Sequence, residues 1–318
     1  MQAGAAVRCL VIGKALAMSG TKPISPGLSP LRFPAAGDAG VVFTPLNDCM
    51  TIAANGLNLN TRPTEALAAR LRQALLDHQV LCIRGQDIGP AGFLDAISVF
   101  GEPQIRPEIP HLPGFPAVTT LSSEDRDAKG DCKRLVAGAN GHSDDTFMAR
   151  PSALTAVYGI IVPLIGGDTQ YANMYATYEA LPAAVRQRLD ALKVVHMMKP
   201  DRPGIGRTRT IAPELLAQRP PSVHPLVRTH PETGRKALYI SRNRMDHIIG
   251  MERTEGHRLI DELVEHAIQP QFTYRHKWKP GDIVIWDNRC LMHKVNGDYP
   301  EGMRRFMQRI IVAGTEPF

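Results

Sequence analysis

Apolar residues recur along the chain with two different periods. Leu67, Leu71 and Leu75 stand four apart after Pro63 and Glu65, which suit a first turn, and this spacing predicts a helix. Val80-Leu81-Cys82-Ile83 then reads as a buried strand stopped by Gly85, and a second short helix carries Phe93, Ile97 and Phe100 on one face. Residues 101–140 hold Pro, Gly and charge, including Arg126, Lys129 and Lys133, without apolar period; such a stretch is either a lid over a site or a surface insertion. From Ala153 the pattern turns to strands. Leu154 to Val162 is nearly continuous in β-prone residues and ends at Gly166-Gly167, and Leu181, Val185, Leu189 and Leu192 then mark a helix. A hairpin is predicted over Leu226 to Ile240, turning at Pro231, Thr233 and Gly234. A helix from Thr254 to Ala267 turns Leu259, Ile260, Leu263 and Val264 inward. Phe272, Tyr274, His276 and Trp278 alternate, Lys279-Pro280-Gly281-Asp282 turns, and Ile283 to Trp286 runs back; Ile310-Ile311-Val312 is the last apolar run. Strands dominate the second half with helices set between them. That order excludes a regular βαβ sheet and predicts a mainly β fold with helical additions, an antiparallel barrel or sandwich.

Composition narrows the setting. With 318 residues and 43% hydrophobic content the chain can bury a full core. The reading is a flexible N-terminal segment over 1–40 and one domain over 41–318. Lys14 interrupts the apolar stretch around Cys9, so that stretch predicts neither a signal peptide nor a membrane span, and a start at Met18 would remove it. Five cysteines without Cys-x-x-Cys spacing read as reduced thiols in a cytoplasmic protein. The excess of 37 Lys and Arg over 31 Asp and Glu contains no polybasic run, so it points to a pocket for a small anion rather than to nucleic acid. Homo-oligomerisation stays open.

Residues i and i+2 of an extended segment share a side, so His142 and Asp144 can offer an imidazole nitrogen and a carboxylate oxygen to one ion. Two histidines and a carboxylate on one face of a metal leave open positions, which suits non-haem iron(II) oxygenases rather than structural zinc. Alone the triplet is weak, since 11 histidines and 31 acids produce such a pairing by chance. A third ligand would be a histidine on a strand that folds back. His293, after the strand Ile283 to Trp286, is placed for it, although spacing cannot join 142 to 293.

Several blocks taken together do join them. Gly141-His142-Ser143-Asp144-Asp145-Thr146-Phe147, Gly166-Gly167-Asp168-Thr169, Arg228-Thr229-His230-Pro231-Glu232-Thr233-Gly234-Arg235-Lys236, Gly281-Asp282-Ile283, Trp286-Asp287-Asn288-Arg289 leading to His293, and Arg304-Arg305 with Arg309 follow one another. In this order the chain, from about Phe43 to the C-terminus, resembles the taurine and 2,4-dichlorophenoxyacetate dioxygenase family. The resemblance implies a double-stranded β-helix, or jelly roll, holding iron(II) through His142, Asp144 and His293. It implies 2-oxoglutarate as co-substrate, with Arg305 pairing its distal carboxylate and Thr169 donating to it, and Arg309 near its inner carboxylate and the substrate anion. The reaction implied consumes O2, releases succinate and CO2, and hydroxylates a substrate, with bond cleavage following in some relatives.

The chain departs from the taurine pattern at two points. Arg106, in Phe100-Gly101-Glu102-Pro103-Gln104-Ile105-Arg106-Pro107, stands where taurine enzymes place a sulfonate-binding histidine, and Gly138 stands where they place an amine-binding asparagine. These departures predict another small anion, a carboxylate, sulfate or sulfonate, clamped by Arg106 and Arg309, with taurine itself as the alternative. A metal-dependent enzyme on the same barrel that uses no 2-oxoglutarate, and a ligand-binding descendant without activity, are the readings from other classes. Asp145 is expected to make a structural hydrogen bond, Trp286 and Phe147 to lie in the core, and His230 and His276 to be partly exposed strand residues without a role.

Overall fold

The computed structural model describes residues 40–124, 141–202 and 213–318. The N-terminal segment, Arg126, Lys129, Lys133 and Gly138 lie outside them. An eight-stranded sheet forms one layer, in the order Val42–Pro45, Thr51–Asn55, Val80–Ile83, Ile283–Asp287, Leu154–Ile161, Phe306–Val312, Phe115–Ser122 and His111–Leu112. All its pairings are antiparallel except that between Thr51–Asn55 and Val80–Ile83. A smaller antiparallel sheet, Thr273–His276, Thr169–Asn173 and Leu291–Val295, faces it.

Strand alternation sorts the side chains into two cores. Leu81, Ile83, Ala156, Tyr158, Ile283, Ile285, Ile310 and Val312 point outward and are covered by the helices Glu65–His78 and Pro90–Ser98, through Leu67, Leu71, Leu75, Phe93 and Ile97. Val80, Cys82, Val157, Val284, Trp286 and Met307 point the other way, onto Tyr171, Tyr274 and Leu291 of the smaller sheet. Two facing sheets with helices on the outer face of one make the expected jelly roll with helical additions. Among the described residues no helix is long and apolar enough to cross a membrane.

Most predicted elements stand where patterning put them. The first helix is capped by Thr64, whose side chain accepts from the Leu67 amide, and the hairpin pairs Val227 with Leu238 and Thr229 with Lys236. Three expectations change. The irregular stretch after residue 100 contains the strands His111–Leu112 and Phe115–Ser122, the second an interior strand. The helix drawn through Leu181 and Leu192 is confined to Ala183–Asp190 and is preceded by another, Met174–Glu179. His230 and His276 are fully buried. His230 Nε2 lies 3.0 Å from Asp287 Oδ2, and His276 Nε2 lies 3.2 Å from Asp282 Oδ2. Each imidazole is a partner for a buried carboxylate, which the alternation of strand residues does not reveal.

Candidate functional site

His142 lies outside the named strands, yet its main chain joins the smaller sheet. Its N–H donates to the His293 carbonyl at 3.0 Å, and its carbonyl accepts from the His293 N–H at 2.8 Å. Directly opposed residues of such a pair project to the same face, and the two imidazole centroids are 4.4 Å apart. Ser143 points away and donates to the Leu291 carbonyl at 2.8 Å, so Asp144 returns to the side of His142. Asp144 Oδ1 lies 3.5 Å from His142 Nε2 and 3.8 Å from His293 Nε2. One ligand atom from each residue falls within 4.8 Å of the others. The main-chain ladder therefore does what linear spacing could not.

A chain of hydrogen bonds aims the carboxylate. Thr155 Oγ1 donates to Asp144 Oδ2 at 2.7 Å, Asn288 Nδ2 donates to Thr155 Oγ1 at 2.9 Å, and Trp286 Nε1 donates to Asn288 Oδ1 at 3.0 Å. Oδ2 is thus occupied and Oδ1 faces the imidazoles. Burial works against the charge on Asp144, but His293, His142 and Arg309 hold its carboxyl well below the usual range. Burial pushes His293 down to about 3, against the pull of Asp144, so its imidazole is neutral and able to act as a donor to a metal.

Two other clusters have metal-like composition, Cys82 with His276 and Asp282, and His230 with Asp287 and Cys290. Both are buried, and in each the carboxylate is already paired with an arginine, although Asp282 Oδ1 has no hydrogen-bond partner among the described residues. Asp282 accepts from Arg84 at 2.7 Å, while Arg289 meets Asp287 with two parallel bonds of 2.8 and 2.6 Å and reaches Glu232 at 2.6 Å. They fix the turns around the strand Ile283–Asp287. Only the first cluster combines partial access with a carboxylate that no cationic side chain holds.

Along the strand Thr169–Asn173, Tyr171 pairs with His293, and Thr169, two residues back, shares its face. Thr169 Oγ1 accepts from Trp278 Nε1 at 3.0 Å, which leaves its proton for another acceptor. Arg305 is buried, with Tyr299 and Tyr171 as the groups that oppose the lowering of its pKa by burial. Its main chain exchanges bonds with Ser123, but its guanidinium makes no ion pair among the described residues, and its Nε has no partner. The hydroxyl of Tyr171 is buried too, with Thr169 as its polar neighbour and no hydrogen bond of good geometry among the described residues. Arg305 immediately precedes the strand Phe306–Val312, on which Arg309 donates through Nε to Thr119 at 3.2 Å. That strand is interior to the sheet, so Arg309 is not an edge-strand charge.

Arg106 departs from expectation. It is buried, and Nη2 donates to Asp145 Oδ2 at 2.7 Å and to Gln104 Oε1 at 2.7 Å. Asp145 has φ 55° and also accepts from Ser152 at 3.1 Å, so it does make the structural bond expected of it, and its partner is the arginine assigned to the substrate. Only Arg106 Nε is without a partner. Patterning missed Thr155, Asn288 and Tyr171. Asn288 sits inside a quoted motif and could have been singled out; Thr155 looks like any β-branched residue of a buried strand.

Comparison with known proteins agrees with this geometry. Residues 43–311 match the family described as taurine catabolism dioxygenase TauD, TfdA family. An alpha-ketoglutarate-dependent 2,4-dichlorophenoxyacetate dioxygenase from Cupriavidus pinatubonensis is 30% identical over 279 residues, covering 85% of this chain and 96% of that protein. An alkylsulfatase from Acinetobacter baylyi is 32% identical over 270 residues, covering 82% and 81%. The crystal structure of AAD-2 in complex with Mn(II) and N-oxalylglycine superposes with a TM-score of 0.74 at 31% identity, covering 87% of this chain and 98% of that one.

Proposed function

The chain belongs to the TauD, TfdA family of dioxygenases, and from that premise we propose that it is an Fe(II)- and 2-oxoglutarate-dependent dioxygenase that hydroxylates a small anionic organic substrate. The observation that carries the reading is the convergence of His142 Nε2, Asp144 Oδ1 and His293 Nε2, held by a main-chain bridge and a threonine, beside a buried arginine that has no counter-charge. Two imidazoles and one carboxylate fit iron(II) and leave room for co-substrate and O2. In AAD-2 Mn(II) and N-oxalylglycine stand in for iron and 2-oxoglutarate.

When bound, the iron couples decarboxylation of 2-oxoglutarate, to succinate and CO2, with hydroxylation of a substrate C–H bond, and cleavage of the hydroxylated product follows in some relatives. The residues of the chain position and exclude. His142, Asp144 and His293 would hold the metal, and Thr155 fixes which carboxylate oxygen faces it. Arg305 would take the distal carboxylate of 2-oxoglutarate in its planar fork, with Thr169 donating the proton that Trp278 leaves free. Two residues along a strand span ~7 Å, commensurate with the reach of a five-carbon dicarboxylate from the metal to Thr169. Arg309, among the charges felt by Asp144, would sit by the inner carboxylate and the substrate anion. Arg106 has Asp145 as partner and contributes Nε alone. Residues 41–318 are read as the catalytic domain.

Anaerobic addition of iron(II) and 2-oxoglutarate tests this. The weak visible band of the chelate is expected with the intact protein and not with His142→Ala. Iron demonstrably bound without that band overturns the assignment.

A further inference from the structure

The site holds one more cation than the chemistry so far uses. Arg244 closes the turn Arg242–Arg244 that leads into the strand Met245–Ile248. Its main chain is pinned on both sides: the N–H donates to the Ser241 carbonyl at 2.7 Å, and the carbonyl accepts from the Met197 amide at 2.7 Å. Ser241 Oγ donates to the Ser143 carbonyl at 3.3 Å, which ties this turn to the residue between His142 and Asp144. The guanidinium carbon lies 5.0 Å from the centre of the Phe147 ring, on the segment that carries the candidate ligands. Nη1 donates to the Met198 carbonyl, and no carboxylate lies within ion-pair distance among the described residues.

Its electrostatic neighbours locate it. Burial lowers the Arg244 pKa, and the groups that pull it back are Asp145 and then Asp144. Asp145 is neutralised by Arg106, and Asp144 is the candidate metal ligand. The other arginines of the site are accounted for: Arg305 by the distal carboxylate, Arg309 by the inner one, Arg106 by Asp145. Arg244 is partly buried, lies over the Phe147 ring and is fixed on one edge, and its Nε–Nη2 edge has no hydrogen-bond partner among the described residues. A guanidinium held flat by an aromatic ring with one two-donor edge free is preorganised for a two-oxygen anionic head group.

Resting on the dioxygenase reading, we propose that Arg244 is the specificity-determining residue that binds the anionic head group of the substrate, a carboxylate, sulfate or sulfonate presenting two oxygens. Phe147 orients the guanidinium and lines the adjoining apolar part of the pocket. The sequence-based clamp of Arg106 with Arg309 is thereby replaced by Arg244 with Arg309.

The test compares wild type with Arg244→Met, which keeps an unbranched stem over Phe147, and Arg244→Lys, which keeps the charge without the fork. Each protein, loaded anaerobically with iron(II) and 2-oxoglutarate, is titrated with aryloxyacetates, alkyl sulfates, alkylsulfonates and the methyl esters of the acids. The perturbation of the visible band is read as an apparent Kd, and succinate release in air as KM. The expected result is an anion Kd weakened on the order of a hundredfold in Arg244→Met, less in Arg244→Lys, with loss of the preference for acid over ester. The band before substrate is added and the melting temperature stay as in wild type. Unchanged discrimination in Arg244→Met, or weakened 2-oxoglutarate binding in place of weakened substrate binding, overturns the proposal, as does a wild type that no panel anion perturbs. A wild type that binds iron yet shows no chelate band removes the dioxygenase reading and this inference with it; a normal band with an indifferent Arg244→Met removes this inference alone.

Discussion

Removing both members of the Arg106–Asp145 pair should destabilise the fold no more than removing either one alone. Side-chain exposures of 7% and 17% place the pair where water screens little, and the 2.7 Å contact sits among Gln104, Met148 and Ser152. Loss of one partner from a buried ion pair costs about 3–5 kcal/mol, because the survivor stays desolvated. Arg106→Met leaves Asp145 one hydroxyl donor, and Asp145→Leu leaves a buried guanidinium with an amide oxygen and a thioether. Taking about 3 kcal/mol for each, the sum is about 6, whereas the double variant, with both charges gone, should lose about 3. The coupling of about 3 kcal/mol is measured by urea unfolding of the chelator-treated protein, so that metal affinity does not enter. A double variant within about 0.5 kcal/mol of the sum would refute the pairing. The same double variant separates structural from substrate roles, since its KM for an anionic substrate stays within a few-fold of wild type if Arg106 serves Asp145 and rises on the order of a hundredfold if Arg106 is the anchor.

Thr155→Val, nearly isosteric, removes the donor that turns Asp144 Oδ2 away from the imidazoles and the acceptor of Asn288 Nδ2; affinity for Mn(II) or Fe(II), read by titration, should fall about 10- to 100-fold, and stability should fall by about 1–3 kcal/mol from the orphaned amide. Arg305→Met should raise the apparent Kd for 2-oxoglutarate, followed by the chelate band, on the order of a hundredfold, and Thr169→Ala by about tenfold; equal effects from the two would contradict the division of labour drawn here. Burial lowers the folded-state pKa of His196 and His224 beneath the ordinary histidine value; the neighbouring imidazole of His224 adds to this for His196, and for His224 backbone hydrogen bonds with Met148 and Thr146 oppose it in part. The unfolded chain therefore takes up these protons first, so stability is fully present above about pH 6.5 and is lost as pH falls, by up to ~1.4 kcal/mol per unit for each group. Urea midpoints between pH 7 and 5 should show that slope, and His196→Leu should flatten it by one proton.

Periodicity located the frame well because the strands are sandwiched. Leu81 and Ile83 must leave the sheet on one side and Val80 and Cys82 on the other, and both sides are apolar, so the run is unmistakable in sequence. The strands Lys193–His196, Ser222–Pro225 and Met245–Ile248 escaped notice because their burial mixes His, Asp and Pro with aliphatic residues. Within the site, His142 and Asp144 were legible as a pair, since i and i+2 share a side, but their meeting with His293 depends on register across a sheet, which no local window contains. Arg106 was read as a substrate-binding charge because its partner, Asp145, lies 39 positions away. The role of an arginine is decided by which carboxylate is left over. That is a question of three-dimensional accounting, answerable for Arg106 and Arg244 only once Asp145 has been placed.

The two-bond bridge between His142 and His293 has a bearing on how readily such an enzyme changes its diet. The imidazoles of His142 and His293 hang from hydrogen-bonded backbone, indifferent to side-chain identity nearby, while Arg244 arrives on a turn and Arg106 on an irregular connection. Recognition and reactivity are therefore mounted on separable hardware. A turn can be grafted, lengthened or recharged without moving the two histidines. A library confined to the positions flanking Arg244 should yield new preferences among acids while iron loading stays constant across its members.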